Sequence, residues 1–275
     1  MEVIQDKKTP FLKWPGGKRW LVDQLIPIIK KELKGTYYEP FIGGGAVFFG
    51  LNPDKAIISD INDDLITTYK VVKKNHKELI KILKRYPVEK DFFYRLRERE
   101  EKEDLLIAAR FLYLNRTGFS GMYRVNKEGR FNVPYGGGKR TPEILWKKDL
   151  LKESSEALNQ VKVLTQDFES IIKNTVKGDV IYCDPTYTVT HNNNGFVSYN
   201  ENNFSWKDQI RLANIILKKV EEGVVVLLSN AAHDSIYELY QPFKPIILNR
   251  KSLLSPKAEF RRDVSEALFI LKGKS

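Results

Sequence analysis

The residues best suited to carry out chemistry are Asp184-Pro185-Thr186-Tyr187, which follow the apolar run Val180-Ile181-Tyr182-Cys183. Such a run predicts a buried strand, so the four residues would lie where that strand ends. They bring together a carboxylate, a backbone bend at proline and an aromatic ring. A carboxylate accepts hydrogen bonds from an amine, and a ring stacks on a flat base. The pattern therefore indicates chemistry on the exocyclic amine of a planar nitrogen base.

Other segments of the chain predict the sheet that would position this corner. Residues 37–42 predict a strand that leads into the turn Gly43-Gly44-Gly45, and Ala46–Leu51 predicts the start of a helix. Ala56–Asp60 predicts a second strand that ends in an acid. Further strands are predicted at 161–164, 180–183, 224–228 and 267–271, with a helix at 205–222. This order predicts an α/β fold with a doubly wound, mostly parallel sheet, which can carry an antiparallel hairpin at its edge.

The middle of the chain, about residues 66–150, has a different character. Its first part is highly charged and predicts helices, and residues 104–115 place apolar side chains at spacings of three and four. A glycine-rich stretch at 117–138 follows, in which aromatic residues and cations are mixed. We interpret this region as an insert that contacts a partner of the protein.

Three further segments suggest a cofactor site. A glycine turn lets a ligand approach the backbone closely, and Asp60 could accept hydrogen bonds from ribose hydroxyls. Lys18, close to Trp14, could pair with the carboxylate of an amino acid, and Asp167-Phe168 offers an acceptor and a ring edge to an adenine. The turn has neither the spaced dinucleotide fingerprint nor the lysine of a nucleotide triphosphatase loop.

Each of these features also has a purely structural interpretation. The glycine turn could serve packing alone, Trp14 could be a core residue, and Lys18 could be a surface charge at a helix start. Asp167 could be a helix N-cap with an apolar neighbour.

Composition narrows the class of partner. Of the 275 residues, 46 are Lys or Arg and 35 are Asp or Glu, which gives a net charge of +11. Such an excess favours polyanions, nucleic acid above all, although a lysine-rich solvated surface would give the same count. The single Cys183 excludes an internal disulfide, and three scattered histidines predict no metal site. No apolar stretch nears the roughly 20 residues of a membrane span, so a cytoplasmic protein without a membrane partner is expected.

Taken together and in order, these segments resemble the Dam-type family of DNA adenine-N6 methyltransferases, in the arrangement of its α group. The resemblance covers nearly the whole chain, and it includes the middle segment Asn115 to Arg124. It implies the class I, Rossmann-like fold of enzymes that use S-adenosylmethionine. It further implies a catalytic domain at residues 1–65 and 151–275 and a helical target-recognition insert at 66–150.

The resemblance also implies roles for the residues of the site. Asp184 would accept a hydrogen bond from the target amine, the carbonyl of Pro185 would take the second proton, and the ring of Tyr187 would stack on the base. Asp167 and Phe168 would hold the adenine of the cofactor. The other implied cofactor residues are Trp14, Lys18, Asp60 and Asp184, with a pocket wall of Glu39, Pro40, Phe41, Gly43 and Gly45.

Contacts to double-stranded DNA are implied for the middle segment. Lys13 and Arg124 match positions that contact a guanine, and Phe119 matches an aromatic wedge beside the flipped base. Alternatively, Phe119 and Met122 could be loop core, and Arg124 could bind only phosphate. The implied DNA-binding residues are Lys13, Asn115, Arg116, Phe119, Ser120, Met122, Arg124 and Pro134, with Met122 and Pro134 against a thymine methyl.

Two departures from the family pattern shape the predicted function. Ser120 replaces the asparagine of GATC-methylating members, and Thr186 replaces the second proline of the catalytic motif. We expect methylation of adenine N6 by base flipping at GATC or a similar site. The alternatives are a catalytically silent DNA-binding protein and an RNA or protein methyltransferase. The expected enzyme is a monomer from a bacterium, archaeon or phage, with a cognate restriction endonuclease as one possible partner.

Overall fold

A mixed β-sheet is the framework of the protein in the computed structural model, which describes residues 8–126, 128–138, 140–146, 148–189, 204–251 and 263–273. Within these residues seven strands pair in the order β3-β2-β1-β4-β5-β7-β6. The strands are β1 (Tyr37–Glu39), β2 (Ala56–Asp60), β3 (Val161–Thr165), β4 (Val180–Cys183), β5 (Val225–Ala231), β6 (Ile246–Lys251) and β7 (Asp263–Leu271).

The pairing of these strands confirms the predicted fold class. Strand β1 is parallel to both β2 and β4, and β4 is parallel to β5. Strand β7 pairs antiparallel with β5 and with β6, as expected for a hairpin at the edge of the sheet. The order 3-2-1-4-5 reverses direction between β1 and β4, and open sheets of this kind bind ligands at the carboxyl ends of the strands at such a switch point.

Helices precede the first strand and connect most of the later ones. They are α1 (Val22–Glu32), α2 (Ala46–Leu51), α3 (Asp63–Arg85), α4 (Lys90–Arg97), α5 (Asp104–Thr117), α6 (Pro142–Leu145), α7 (Lys148–Ala157), α8 (Phe168–Ile172), α9 (Trp206–Glu221) and α10 (Asp234–Leu239), with a 3₁₀ turn at Phe119–Gly121. Side-chain caps fix several starts. Asn62 accepts a hydrogen bond from the Leu65 amide at the start of α3, and Ser205 and Asp208 form a reciprocal capping box on α9. None of the described helices is long and apolar enough to cross a bilayer.

Four predicted strands differ in length from the observed ones. Strand β3 ends at Thr165 instead of residue 164, and β7 begins at Asp263 instead of residue 267. Strand β1 ends at Glu39 instead of residue 42, because Pro40 has no N–H to donate to the ladder. Strand β5 continues beyond Leu228 to Ala231, and its polar residues Ser229 and Asn230 are buried.

The chain divides into two compact units by its contacts. Unit 1 contains Met1–Ile28, Ile42–Asp54 and Asn62–Thr165, and unit 2 contains Ile29–Phe41, Lys55–Ile61 and Gln166–Ser275. In unit 1, α3 packs against α5 and α7, and the rings of Phe11, Phe49 and Tyr69 meet at centroid distances of 5.0–6.4 Å. In unit 2, β4 is buried throughout, and α9 packs on β5 and α8.

Candidate active site and DNA interface

The corner at Asp184 follows directly on the end of β4, as predicted. Asp184 is half-buried, Pro185 is buried and Thr186 is exposed. Tyr187 is half-buried, and its hydroxyl donates a hydrogen bond to Glu266 Oε2 at 2.9 Å. Because β1 and β4 are neighbours and parallel, Asp184 and Glu39 lie at the ends of adjacent strands, at the switch point.

Glu39 is buried and its contacts explain how a carboxylate is tolerated there. It is 2% exposed, and the Tyr37 hydroxyl donates to its Oε2 at 2.6 Å. Burial, together with the Glu39 charge, raises the pKa of Tyr37 well above its usual value, so this phenol stays protonated and remains a donor. Asp60, at the end of β2, is half-buried. Carboxylates thus end strands β1 and β2 and come directly after strand β4.

Cys183, just before the corner, is buried as expected. Burial raises the pKa of its thiol well above the usual value, with the nearby Asp184 and Glu39 adding to the effect. A protonated, buried thiol is a poor nucleophile. The role of Cys183 is therefore packing.

An aromatic cluster of unit 2 surrounds the predicted adenine site. Phe41 and Phe168 stack with centroids 5.4 Å apart, and Phe204 packs edge-on against Phe41 at 5.5 Å. Apolar faces of this kind suit a purine ring. Phe204 did not figure in the sequence prediction, since an isolated phenylalanine after a polar stretch carries no signal of its own.

Asp167 has the structural role that its alternative interpretation predicted. Its Oδ1 accepts a hydrogen bond from the Glu169 amide and caps α8. The same oxygen accepts one from Arg211 at 2.9 Å, and the Arg211 guanidinium lies 4.9 Å from the Phe168 ring centroid. Arg211 also pairs with Glu169 and Asp208. Both bonds to Asp167 use Oδ1, which leaves Oδ2 without a hydrogen bond among the described residues and compatible with an adenine amine.

The residues of unit 2 therefore fit S-adenosylmethionine in their chemistry. Carboxylates at strand ends suit ribose hydroxyls and an ammonium group, and the aromatic cluster with Asp167 suits adenine. No group of three or more metal-ligating side chains occurs in the described part of the chain.

In unit 1, Trp14 lies between the glycine turn and a tyrosine. Its ring stacks on Tyr123 with centroids 5.2 Å apart and planes 16° apart. A Cβ added to Gly43 would lie 2.8 Å from Trp14 Nε1, and one added to Gly44 would lie 2.7 Å from Trp14 Cβ. These two glycines thus allow Trp14 to pack closely, as the packing interpretation of the turn predicted. The turn also receives a hydrogen bond at the Gly43 carbonyl from the Tyr69 hydroxyl.

Lys18 is not the surface charge that one interpretation predicted. It is 4% exposed, and its ammonium donates to the Gly16 carbonyl at 3.0 Å. A buried lysine that is held beside a glycine turn is compatible with the alternative role of contacting an anionic group.

Asn115 requires a correction. The resemblance implies that it contacts DNA, but the side chain is 0% exposed. Its Oδ1 accepts from the Lys13 amide at 3.0 Å, and its Nδ2 donates to the Lys13 carbonyl at 2.7 Å and to the Gly121 carbonyl at 3.5 Å. A fully buried amide that bonds backbone groups cannot also reach DNA. Asn115 instead holds the loop of Lys13 against the 3₁₀ turn.

The other predicted DNA-binding residues of this region are accessible. Phe119 is 39% exposed, which excludes the interpretation of this ring as loop core, and Ser120 and Pro134 are exposed as well. Met122 is half-buried. Arg124 donates from Nε to Asn132 Oδ1 at 2.8 Å, which fixes the orientation of its guanidinium.

Four cations of unit 1 form a cluster that sequence reasoning recognised only in part. Lys13 and Arg116 were expected to bind DNA, whereas Arg19 and Arg140 were not. The guanidinium groups donate to backbone carbonyls: Arg19 to Pro10, Arg116 to Phe11, and Arg140 to Arg116 and Gly137. Burial lowers the pKa of Lys13, and Arg116, Arg140 and Arg19 lower it further by repulsion. Among the described residues, no carboxylate forms an ion pair with any of the four.

Comparison with known proteins supplies the family. Residues 14–253 match the family described as D12 class N6 adenine-specific DNA methyltransferase. The Type II methyltransferase M1.LlaDCHI of Lactococcus lactis subsp. cremoris is 37% identical over 281 residues, which cover 98% of each chain. The DNA adenine methylase of Escherichia coli (strain K12) is 34% identical over 278 residues, which cover 97% of this chain and 96% of that protein. A putative RNA methyltransferase from Pyrococcus horikoshii, known as a crystal structure, covers 98% of this chain and 93% of its own at 8% identity and a TM-score of 0.42.

The family match spans most of the chain, and the relatives match it from end to end. The chain therefore belongs to the D12 class of N6 adenine-specific DNA methyltransferases, and it uses S-adenosylmethionine to methylate adenine in DNA.

Proposed function

We propose that the enzyme methylates adenine N6 within a short duplex site, GATC or a close relative of it, after flipping the base out of the helix. The observation that carries the proposal is the corner Asp184 to Tyr187 at the switch point of the sheet. Extrusion of a paired base costs a few kcal/mol. Stacking on an aromatic ring, here Tyr187, would recover roughly 1–3 kcal/mol.

The chemistry proposed for the corner follows from the weakness of the nucleophile. The lone pair of an adenine amine is delocalised into its ring. Two acceptors aimed at the amine protons, the Asp184 carboxylate and the Pro185 carbonyl, favour a pyramidal nitrogen and stabilise the developing positive charge. S-adenosylmethionine supplies an electrophilic methyl group on a sulfonium. The protein then has to align nitrogen and methyl in line, which is a positioning effect.

We propose roles for the predicted cofactor residues. Asp60 binds the ribose hydroxyls, Asp167 and Phe168 hold the adenine, and Phe41 and Phe204 complete its apolar surroundings. The Lys18 ammonium pairs with the amino acid carboxylate. The burial of Lys18 and the stacking of Phe41 on Phe168 support this assignment.

For DNA we propose a division between base contacts and phosphate contacts. Arg124 and Lys13 reach guanine edges in the major groove, where long cations make the commonest specific contact. Phe119, exposed in the 3₁₀ turn, wedges next to the flipped base. The remaining cations of the cluster bind backbone phosphates, because like charges that form no ion pair with a carboxylate among the described residues are suited to an anion.

The decisive experiment maps methylation directly. Duplex DNA of mixed sequence is incubated with the protein and S-adenosylmethionine, and N6-methyladenine is located by sequencing. We expect methylation at one short motif. Asp184→Ala should abolish it, while Asp54→Asn, at an exposed loop position, should leave it unchanged. Methylation at scattered adenines without a motif would overturn the site, and methylated RNA in preference to DNA would overturn the substrate.

Thr186 calls for a separate test, because a threonine restores a backbone N–H at the position after Pro185 and loosens the chain direction. Thr186 is exposed, so a proline side chain would meet no close packing there. We expect wild type to transfer methyl groups and Thr186→Pro to change the rate by less than about tenfold. An inactive wild type and an active Thr186→Pro variant would establish the silent DNA-binding protein instead.

We further propose the organisation and setting of the enzyme. Residues 1–65 and 151–275 would bind the cofactor and carry out catalysis, and 66–150 would recognise the target. The protein would act as a monomer in the cytoplasm of a bacterium or archaeon, encoded there or by a phage. The Type II names among its relatives support pairing with a restriction endonuclease of the same specificity. Light scattering of the free and DNA-bound protein would test the monomer.

A further inference from the structure

The contact between Tyr187 and Glu266 is not explained by the roles given above. The Tyr187 hydroxyl donates to Glu266 Oε2 at 2.9 Å, across 79 positions of the chain. Glu266 lies on β7 opposite Ala231, the last residue of β5. Because β4 and β5 are parallel, Glu266 is at the same edge of the sheet as the carboxyl end of β4. A strand from the far part of the sequence thus supplies an acceptor for the tyrosine of the corner.

The environment of Glu266 is an unusual place for a carboxylate. Its exposure is 1%, and its other neighbour in the sheet is Leu248 on β6. A buried carboxylate costs free energy unless hydrogen bonds compensate for the loss of water. The Tyr187 hydroxyl provides one such bond, and it comes from a residue that is itself half-buried at the active site.

A hydrogen bond at this atom has a specific mechanical effect. The ring of a tyrosine turns about two side-chain torsions, and its hydroxyl is the atom farthest from the backbone. Anchoring that hydroxyl restricts both torsions and therefore the plane of the ring. The strength of stacking depends on how the two planes are oriented.

We propose that Glu266 is a positioning residue, which holds the Tyr187 ring in the plane that stacks on the extruded target base. Glu266 does not touch the base and acts through the Tyr187 hydroxyl. This inference rests on the proposed function, in which Tyr187 stacks on the flipped adenine.

The test is a double-mutant cycle with Glu266→Ala, Tyr187→Phe and the two changes combined. Tyr187→Phe keeps the ring and removes the hydroxyl. The DNA carries 2-aminopurine at the target position, and its fluorescence reports base extrusion and stacking without methyl transfer. We expect each single change to reduce extrusion by about 2- to 10-fold, which corresponds to the energy of an off-rotamer side chain. The combined variant should lose no more than either single one, because the two residues act through one bond.

Further measurements separate positioning from a structural role. On unmodified DNA, kcat should fall in both single variants while KM for S-adenosylmethionine stays unchanged. Glu266→Gln keeps an oxygen acceptor and should retain most of the extrusion and of kcat, and it remains informative if Glu266→Ala fails to fold. Losses that add up in the combined variant, or a Glu266→Gln variant as impaired as Glu266→Ala, would overturn the inference. A wild type that extrudes the base but transfers no methyl group would contradict the proposed catalysis, and the cycle would still decide the role of Glu266.

Discussion

Ser120 combines an exposed side chain with a backbone conformation that serine seldom adopts. Its φ is +54°, in the left-handed region, and Asn tolerates this region better than most other non-glycine residues. The Dam-type resemblance places an asparagine here in GATC-methylating members. Ser120→Asn would therefore affect two properties, the backbone strain at this position and the hydrogen-bonding groups available to an adenine.

We predict that Ser120→Asn stabilises the protein slightly and sharpens its site preference. The gain in free energy of unfolding should be below about 1 kcal/mol, since only part of the left-handed penalty is relieved. An amide can make a two-point contact with adenine, worth about 1–3 kcal/mol of discrimination. Thermal unfolding and methylation rates on GATC and its single-base variants would measure the two effects. Ser120→Ala is the control and should gain neither. A Ser120→Asn variant with unchanged discrimination would contradict a base contact at this position.

Single residues also show where sequence reasoning reaches its limit. Asp184 and Asp60 could be placed at strand ends from local patterns, because a strand is short and its end is marked by polar or breaking residues. Glu39 was predicted to lie inside a strand of residues 37–42, and it instead ends β1. Asn115 and Glu266 could not be assigned their roles. Their partners lie 102 and 79 positions away, and no periodicity connects residues at such a distance.

The elements of unit 1 that we propose to recognise DNA are joined by side-chain hydrogen bonds more than by regular structure. One amide, that of Asn115 on α5, bonds both backbone groups of Lys13 and the carbonyl of Gly121 in the 3₁₀ turn. Gly121 has a φ of +63°, and a Cβ there would lie 2.5 Å from Lys13 Cβ. The position of the Lys13 loop thus depends on α5 and on a turn that comes about a hundred residues later.

We therefore predict that Asn115→Ala weakens DNA binding although Asn115 itself is buried. Orphaned backbone groups at Lys13 should cost about 1–3 kcal/mol each in unfolding free energy. The displaced Lys13 loop should lower the affinity for the specific duplex. Ser154→Ala is the matched control, because it removes a different buried hydrogen bond, to Leu150, on α7. The control should keep the affinity of the wild type. Equal affinities for Asn115→Ala and wild type would show that the clamp has no part in recognition.

Among the helices and strands, some were predicted from the sequence with the correct bounds and others were not. Helix α2 and strands β2 and β4 have the predicted bounds, because apolar runs flanked by glycine or charge are local signals. Strand β5 was predicted too short, since the buried polar pair Ser229 and Asn230 resembles a loop in sequence. Its hydrogen bonds explain the difference: Ser229 is bonded to Tyr182, and Asn230 to Gln209.

Positively charged residues of the described chain differ in whether they form ion pairs with carboxylates. The net charge of +11 predicted a polyanionic partner without saying which surface meets it. Some exposed cations of the described chain form ion pairs, such as Lys152 with Glu156 and Arg95 with Glu89. Lys13, Arg19, Arg116 and Arg140 lie together and form no ion pair among the described residues, and the three arginines donate to backbone carbonyls. We expect this cluster to dominate the salt dependence of DNA binding.

The cluster should contribute to the slope of the logarithm of DNA affinity against the logarithm of salt concentration. Each phosphate neutralised contributes about 0.9 to that slope through released counterions. Replacing Arg19 and Arg140 with Gln should reduce the slope by about 2 and weaken binding to specific and nonspecific duplexes alike. Lys152→Gln removes one positive charge outside the cluster and should leave the slope unchanged. A double variant with the wild-type slope, or one that loses affinity only for the specific duplex, would show that these arginines do not bind phosphate.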